Sequence, residues 1–357
     1  MVSIATVSKK HVALARSLGL AWRMRIEQLD PADEKIARAC YDVMLAAHKV
    51  DEPVEPPMSY GPFALYLREG WEKTPGEAWY AVDDGGSVNG FYRIHLPDLE
   101  NLERASSGPV VHPSARRRGI GRELLRHEGG RAAANGRSLF GAATTVGTAG
   151  DAFAQAVGAR LDLEEVRRVQ YLREIAPGKI ASLRASAEKA AAGYSLVSWT
   201  GDTPDEYCGP LAGIFNAFND APRGENEEPE FWDARRVRER TGTVVRAGLL
   251  RGYGMAAFHD TTGEMAAFTE VLVDPEHPQW GYQQLTAVIR SHRGHRLGLL
   301  VKTAMLELLA SAEPRLEWIT TGNAATNEHM IAVNEQLGYR VVEPGWRFYE
   351  IPVANLG

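Results

Sequence analysis

The sequence has few cysteines. Only Cys40 and Cys208 are present, and they lie far apart in a chain of 357 residues. Neither has another Cys or a His at metal-ligand spacing, so we expect no disulfide framework and no bound metal. This usage is typical of a reducing compartment and predicts a cytoplasmic protein in which both cysteines are small buried hydrophobic residues.

Long apolar runs and an excess of basic residues are also missing. No segment approaches the roughly 18 apolar residues of a membrane-spanning helix, and the N-terminus has no apolar run of signal-peptide length. The formal net charge is −6, whereas nucleic-acid-binding domains are usually basic. We therefore expect neither a membrane nor a nucleic acid as a partner, and the sequence leaves open whether the chain forms an oligomer.

The strand and helix patterns divide the chain into two similar halves. Each half has the order strand, helix, loop, hairpin, strand, basic turn, helix, strand, helix, strand. We place the halves at residues 1–176 and 193–357, with a linker helix over the alanine-rich stretch 177–192. A short helix is also predicted over residues 3–20. The alternation predicts an α/β (α+β) fold in which helices pack on a mixed sheet.

A basic, glycine-bearing turn occurs once in each half. The first copy is Arg116–Gly121 (RRRGIG), after a β-rich segment that contains Val110-Val111. The second copy is Arg293–Gly298 (RGHRLG), after Val288-Ile289. Each turn leads into an amphipathic helix, so several backbone N–H groups converge beside a helix N-terminus. Such a site binds anions, and a pyrophosphate fits it.

Two other phosphate-binding motifs are disfavoured by the residues around these turns. A Walker A loop would end in Gly-Lys-Ser/Thr, which neither turn has. A dinucleotide-binding fingerprint needs a third glycine, where Leu124 and Val301 stand instead. An ATP- or NAD-dependent enzyme is therefore the least favoured hypothesis. A zinc pair formed by His292 and His295 is also disfavoured, because both lie in the basic turn.

The first turn resembles the signature of the GNAT superfamily of acyl-CoA-dependent N-acyltransferases. The segment Val110–Gly121 matches the family pattern Gln/Arg-x-x-Gly-x-Gly/Ala throughout. The second turn matches at Arg293 and Gly298, but Arg296 replaces the first glycine. The segment Asn323–Tyr339 resembles the closing element of the family. The whole chain is similar to tandem-GNAT acyltransferases of the kind found in actinobacteria.

The resemblance implies a mostly antiparallel sheet flanked by helices in each half, and an acyl-CoA donor, most simply acetyl-CoA. The family binds the pyrophosphate on the turn amides and the pantetheine between two diverging strands, and a primary amine attacks the thioester. A strand N–H, here at Val110-Val111 or Val288-Ile289, would hold the developing oxyanion. The residues expected to bind the donor are Val110, Val111, Arg116, Arg117, Arg118, Gly119, Ile120, Gly121, Val288, Ile289, Arg293, Gly294, His295, Arg296, Leu297, Gly298 and Asn327. For Asn327, a plain helix cap is the competing interpretation.

The candidate general base is Glu270, which lies in the apolar run Met265–Val273. A Glu in such a strand is costly unless it is paired or faces a wet cleft. An outward-facing, solvated Glu is the alternative. His95 and Glu103 are further candidates in the first half.

The family's frequent general acid is missing from the sequence. A Tyr is expected four residues before the last glycine of each half, but Asn334 and Ala154 stand there. Tyr282 is the candidate that could replace it.

Three hypotheses follow about the roles of the two halves, the acidic loop and the function of the protein. The second half carries the chemistry, and the first binds acyl-CoA structurally or shapes the acceptor cleft. The acidic loop at 220–233 attracts a cationic amine. The function is N-acyl transfer to a small-molecule or peptide amine; the alternative is a non-catalytic acyl-CoA sensor or accessory protein.

Overall fold

A computed structural model describes residues 24–221 and 223–356. The helix expected over residues 3–20 lies outside these ranges. None of the helices within them is long and apolar enough to cross a bilayer.

The first half has the strands and helices that its pattern predicts, with one further helix, Tyr60–Glu69. Its strands are β1 (Met24–Gln28), β2 (Gly76–Asp83), β3 (Val88–His95), β4 (Arg104–Ser106), β5 (Val110–Val111), β6 (Leu139–Thr145) and β7 (Arg160–Tyr171). Its helices are α1 (Glu34–Asp51), α2 (Tyr60–Glu69), α3 (Ile120–Ala134) and α4 (Ala149–Ala156). A helix α5 (Lys179–Ala190) follows, within the stretch expected to link the halves.

The second half repeats this order with one additional short helix. Its helices are α6 (Asp205–Phe218), α7 (Ala234–Arg240), α8 (Thr243–Arg246), α9 (Leu297–Ala312) and α10 (Glu328–Leu337). Its strands are β8 (Tyr194–Thr200), β9 (Arg251–His259), β10 (Met265–Val273), β11 (Trp280–Val288), β12 (Trp318–Ala324), β13 (Tyr339–Val341) and β14 (Trp346–Pro352).

Local sequence explains where helices begin and which face they bury. The Asp33 carboxylate caps α1 by accepting from the Ile36 N–H at 3.1 Å. Helix α1 then buries a stripe of small and apolar residues at helical spacing: Ala37, Cys40, Val43 and Ala47. Asn327 likewise caps α10 by accepting from the Met330 N–H at 3.3 Å.

All fourteen described strands belong to one mixed sheet. Its main order is β1-β2-β3-β4-β6-β14-β7-β12-β11-β10-β9-β8, with β5 paired to β3 and β13 paired to β7. Most neighbours are antiparallel; β4 with β6 and β11 with β12 are parallel. The mixed α/β fold is confirmed, but the expected pair of sheets is joined into one.

The two halves exchange their terminal strands. The last strand of the chain, β14, lies between β6 and β7 of the first half. The last strand of the first half, β7, pairs in turn with β12 of the second half. The sheet is therefore continuous across the middle of the molecule, and each half completes the sheet of the other.

A gap opens in the first half where a central strand divides. The short strand β4 pairs with both β3 and β6. After Ser107 the chain bends away, and β5 pairs with β3 alone. Strands β5 and β6 therefore diverge, and the opening leads towards the basic turn at the start of α3.

Candidate active site

The two basic turns have the same backbone shape. Arg117 and Gly119 have left-handed φ angles of 65° and 91°, and Gly294 and Arg296 have φ angles of 92° and 55°. Each turn thus uses one glycine and one arginine at its two left-handed positions. Such positions direct successive N–H groups to one side, as the anion-site prediction requires.

The first arginine of each turn is a brace. The Arg116 guanidinium donates to the Asp51 carboxylate over 2.9 and 2.5 Å, and its Nε donates to the Val111 carbonyl at 3.1 Å. Arg293 repeats the arrangement, donating to Asp220 at 2.8 Å. These charge-assisted hydrogen bonds hold both turns in place.

The first turn opens onto a cavity of about 1520 Å³. The turn residues that line it are Arg116, Arg117, Gly119 and Gly121, followed by Arg122 of α3. Val110 and Val111 of β5 line it as well, while Arg118 is exposed beside it and Ile120 packs into the core. From the turn, the cavity passes along the gap between β5 and β6. The cavity therefore has arginines at its entrance and a channel bounded by β5 and β6.

The far end of the cavity lies against the second half. Glu270 and Leu272 of β10 and Tyr282 of β11 line this end, together with Glu72 and Glu230. The structure thus places the two predicted catalytic residues in the same cavity as the first turn, although they belong to the other half of the chain.

The corresponding cleft in the second half is closed. Leu297 is 1% exposed and Gly298 is buried, so the start of α9 is covered. The Arg296 guanidinium donates to Ser186 of α5 at 2.6 Å and to Gln336 of α10 at 3.1 Å. These contacts tie α9 to both neighbouring helices across the cleft through which a donor would enter.

A lysine fills the interior of this closed cleft. Lys302 is 3% exposed, and its Nζ lies 4.9 Å from the centre of the Tyr339 ring. Burial lowers the pKa of Lys302 to about 7. In α3 the equivalent position is Leu125, which lines the open cavity. The same helix position thus carries an apolar side chain in the cavity wall of one half and a buried lysine in the other.

The other second-half residues expected to bind the donor have different surroundings. Val288 and Ile289 pack against hydrophobic core clusters. Gly294 and His295 are exposed on the turn, and Asn327 caps α10. None of them lines the cavity. The expectation that these residues bind a donor therefore stays a prediction, and none of them belongs to the cavity of the first half.

Both ring nitrogens of His292 have protein partners. Its Nδ1 lies 2.8 Å from the Tyr194 hydroxyl, and its Nε2 lies 2.9 Å from the Glu264 carboxylate. No group of three or more metal-ligating side chains occurs within residues 24–221 and 223–356.

Glu270 faces the cavity beside an irregularity in the sheet. Along β11 two residues stand opposite Glu270 alone, which makes a β-bulge. These bulged residues, Gln284 and Leu285, line the cavity beside it. Burial raises the pKa of Glu270 to about 7, and the charges of Asp202 and Glu72 act in the same direction. The side chain of Glu270 therefore faces a cleft and is not the outward-facing, solvated Glu of the alternative interpretation.

Tyr282 and an unpredicted tyrosine, Tyr349, bring phenol groups to the cavity. Burial raises the pKa of Tyr282, so its hydroxyl stays protonated at neutral pH. Tyr349 comes from the exchanged strand β14, and its hydroxyl donates to Asp151 of α4 at 2.7 Å. Helix α4 is the element in which Ala154 replaces the family's Tyr. No local sequence signal identifies Tyr349, because only the strand exchange brings it there.

The acidic loop mostly forms structural contacts. Glu225 pairs with Arg160 at 3.0 Å, and Glu228 accepts from the Asn101 N–H at 2.6 Å. Among the loop's six carboxylates, only that of Glu230 belongs to a cavity-lining residue. The loop therefore joins the two halves over the cavity and offers a single acid to its interior.

His95 and Glu103, the first-half candidates for the base, lie elsewhere. His95 is hydrogen-bonded between Arg93 and Tyr66, and burial followed by the Arg93 charge lowers its pKa to about 4. Glu103 is exposed. Neither lines the cavity.

Comparisons with known proteins agree with this geometry. A family model for the acetyltransferase (GNAT) family matches residues 43–137, the segment that contains the first turn and α3. A tandem GNAT protein from the clavulanic acid biosynthesis pathway has a TM-score of 0.75 and 30% identity, covering 93% of this chain and 99% of that one. The chain belongs to the GNAT family. Acyl transfer is therefore its class of activity, and acetyl-CoA is the donor typical of the family.

Two further proteins are similar to this GNAT chain. A mycothiol acetyltransferase of Tsukamurella paurometabola is 31% identical over 205 residues, which are 56% of this chain and 63% of that protein. The match thus spans less than two thirds of the relative's length. A GCN5-related N-acetyltransferase from Sphaerobacter thermophilus has a TM-score of 0.64 and covers 92% of this chain, but at 14% identity it shows the fold alone.

Proposed function

We propose that the protein transfers an acetyl group from acetyl-CoA to a primary amine in the cavity shared by its two halves. The observation that carries this proposal is the continuous cavity from the first basic turn to Glu270 and Tyr282. Its volume of about 1520 Å³ exceeds the roughly 300–1000 Å³ of a pocket for one drug-sized ligand. Both substrates fit together, as direct attack in a ternary complex requires.

The donor binds to the first half. Its diphosphate accepts hydrogen bonds from the N–H groups at the start of α3, and Arg117 and Arg122 add positive charge. The pantetheine follows the gap between β5 and β6. The second half keeps a turn of the same shape, but a buried lysine, Lys302, stands there in place of Leu125, so we propose no donor at that turn.

The second half supplies the group that activates the acceptor. An ammonium must lose a proton before it attacks the thioester carbon, and a carboxylate with a pKa of about 7 can accept it near neutral pH. Nitrogen then bonds to the acyl carbon and loses its second proton to solvent, the carbon–sulfur bond breaks, and the thiolate takes a proton. Tyr282 is our candidate donor for that last proton.

The acceptor enters from the end of the cavity lined by Glu72, Glu230 and Glu270. Carboxylates at this end favour a cationic amine, while nearby Phe215 and Trp232 offer apolar surface to its body. We therefore propose a small-molecule or short peptide amine as the acceptor.

The test is thiol release from acetyl-CoA in the presence of a panel of primary amines. We expect saturable release with at least one amine, together with an acetylated product of the expected mass. Tight CoA binding with no release on any amine would favour the alternative, a non-catalytic acyl-CoA-binding protein.

A further inference from the structure

A buried carboxyl group stands behind the point at which the first-half strands diverge. Glu128 of α3 is 0% exposed, and its Oε1 accepts a hydrogen bond from the Ser107 hydroxyl at 2.6 Å. Its Oε2 is buried and has no partner among the described residues. Burial raises the pKa of Glu128 to about 8, so the group is neutral at physiological pH. A carboxyl kept in the core without a cation is costly and needs a reason.

Its hydrogen-bond partner lies where β4 ends and the gap begins. The Ser107 N–H donates to the Gly141 carbonyl of β6 at 3.0 Å. Ser107 is thus held on both sides, through its main chain by β6 and through its side chain by α3. The residue is therefore the fixed point from which β5 departs.

The next residue, Gly108, lies at the cavity and has an unpaired N–H. Gly108 lines the cavity, and a Cβ built on it would meet no atom within 4 Å. Its N–H has no acceptor among the described residues. The following residue, Pro109, has no N–H and disfavours a helical conformation at Gly108. The Gly108 N–H is thus the unpaired donor at the closed end of the gap.

We propose that Glu128 is a positioning residue, which acts through Ser107 to aim the Gly108 N–H at the thioester oxygen. In direct attack, the carbonyl oxygen becomes negative as the amine bonds to carbon, and a fixed donor stabilises that charge. Neither side chain touches the reacting atoms. Glu128 fixes Ser107, and Ser107 fixes the orientation of the peptide group that carries the donor. This inference rests on the proposed binding of the thioester in the first-half gap.

The experiment uses the full-length protein with acetyl-CoA labelled with ¹³C at the carbonyl. The variants are Glu128→Leu and Ser107→Ala, which remove the contact, and Glu128→Gln, which keeps a neutral acceptor of the same shape. Ser106→Ala is the matched control, since Ser106 is exposed and adjacent in sequence. Titration calorimetry measures donor affinity, and the carbonyl resonance of the bound donor reports its hydrogen bond.

We expect a downfield carbonyl shift on binding to the wild type, to Glu128→Gln and to Ser106→Ala. Glu128→Leu and Ser107→Ala should lose most of that shift while binding acetyl-CoA within about threefold of wild type, because the diphosphate site is untouched. With an amine that the wild type acetylates, their kcat should fall about 10- to 100-fold while the KM for acetyl-CoA changes little.

The outcomes separate this inference from the proposed function. If the wild type fails to bind acetyl-CoA, the proposed function fails. If the wild type binds and shifts the resonance but Ser107→Ala does so equally, the positioning role is wrong. Should Glu128→Leu not fold, Ser107→Ala against Ser106→Ala decides alone. Loss of both affinity and shift in Ser107→Ala would also overturn the proposal, by showing a structural role.

Discussion

Glu270 is a residue whose burial destabilises its charged form and gives it a pKa that suits a general base. It interrupts an otherwise apolar strand in the centre of the second half of the sheet. Burial makes its charged form less stable, which raises its pKa to about 7. A carboxylate in bulk water would be a weak base at this pH, whereas Glu270 can both accept and release a proton there.

Replacement of Glu270 by Gln is expected to remove this base. Because the active form is the carboxylate, wild-type kcat should rise with pH through about 7 and then level off. Glu270→Gln should lower kcat by about 100-fold or more and abolish that rise. The measurement is the pH–rate profile of thiol release between pH 5.5 and about 9, a range chosen to span the shifted pKa.

Glu335→Gln on the exposed face of α10 is the matched control and should keep the wild-type profile. A Glu270→Gln enzyme with unchanged kcat and an unchanged acid limb would remove Glu270 from the mechanism.

Lys302 is the residue that most clearly separates the two halves. It occupies in α9 the position that Leu125 has in α3. Leu125→Lys should therefore carry the closed state into the first half, because the longer side chain extends into the donor channel. We expect acetyl-CoA affinity to fall at least about tenfold, which corresponds to about 1.4 kcal/mol.

Calorimetry of Leu125→Lys and Leu125→Met gives the comparison, since Met fills a similar volume without charge. Equal affinities for the two variants would show that the channel does not pass this position.

At the scale of elements, the turns depend on their bracing arginines. Arg116 links its turn to the end of α1 through Asp51, and Arg293 makes the equivalent link to Asp220. Arg116→Gln should loosen the first turn and weaken acetyl-CoA binding about tenfold, since hydrogen bonds to charged groups contribute roughly 1.5–3 kcal/mol. Arg293→Gln should leave binding unchanged. Calorimetry of the two variants checks this, and a larger effect from Arg293→Gln would place the donor in the second half.

Elements with strong local patterns were predictable from the sequence. The hairpins β2–β3 and β9–β10 and helix α9 follow from alternation and from an apolar helical stripe. Helix α2 was not predicted, because it follows a proline-rich loop and carries only a short pattern. The β-bulge opposite Glu270 was also missed. A single extra residue in β11 does not interrupt the alternation of side chains before and after it, so the sequence pattern does not reveal the bulge.

At the scale of the whole molecule, the strand exchange makes the halves interdependent. Strand β14 completes the first half, and β7 pairs with β12 of the second. No local pattern specifies which sheet a terminal strand joins, so the sequence predicted two sheets where there is one. The lack of such a pattern also explains why Tyr349 was missed and why the burial of the second cleft was not foreseen. The boundaries at 176 and 193 stay our proposal for the limits of the two repeats.

The continuous sheet predicts cooperative unfolding. Separating the halves would expose the edges of β6 and β12, which lose their partners β14 and β7. We expect a single thermal transition whose calorimetric and van't Hoff enthalpies agree, and no folded product from residues 193–357 alone. Scanning calorimetry of the full chain checks this. Two separable transitions would show that the exchange does not couple the halves.

The central claim is that the donor bound by the first half reacts beside residues of the second. A crystal structure of the full chain with CoA tests it most directly. The account predicts one CoA per chain, with its diphosphate on the Arg116–Gly121 turn and its sulfur in the cavity that Glu270 lines. A CoA diphosphate seated on the Arg293–Gly298 turn would contradict it.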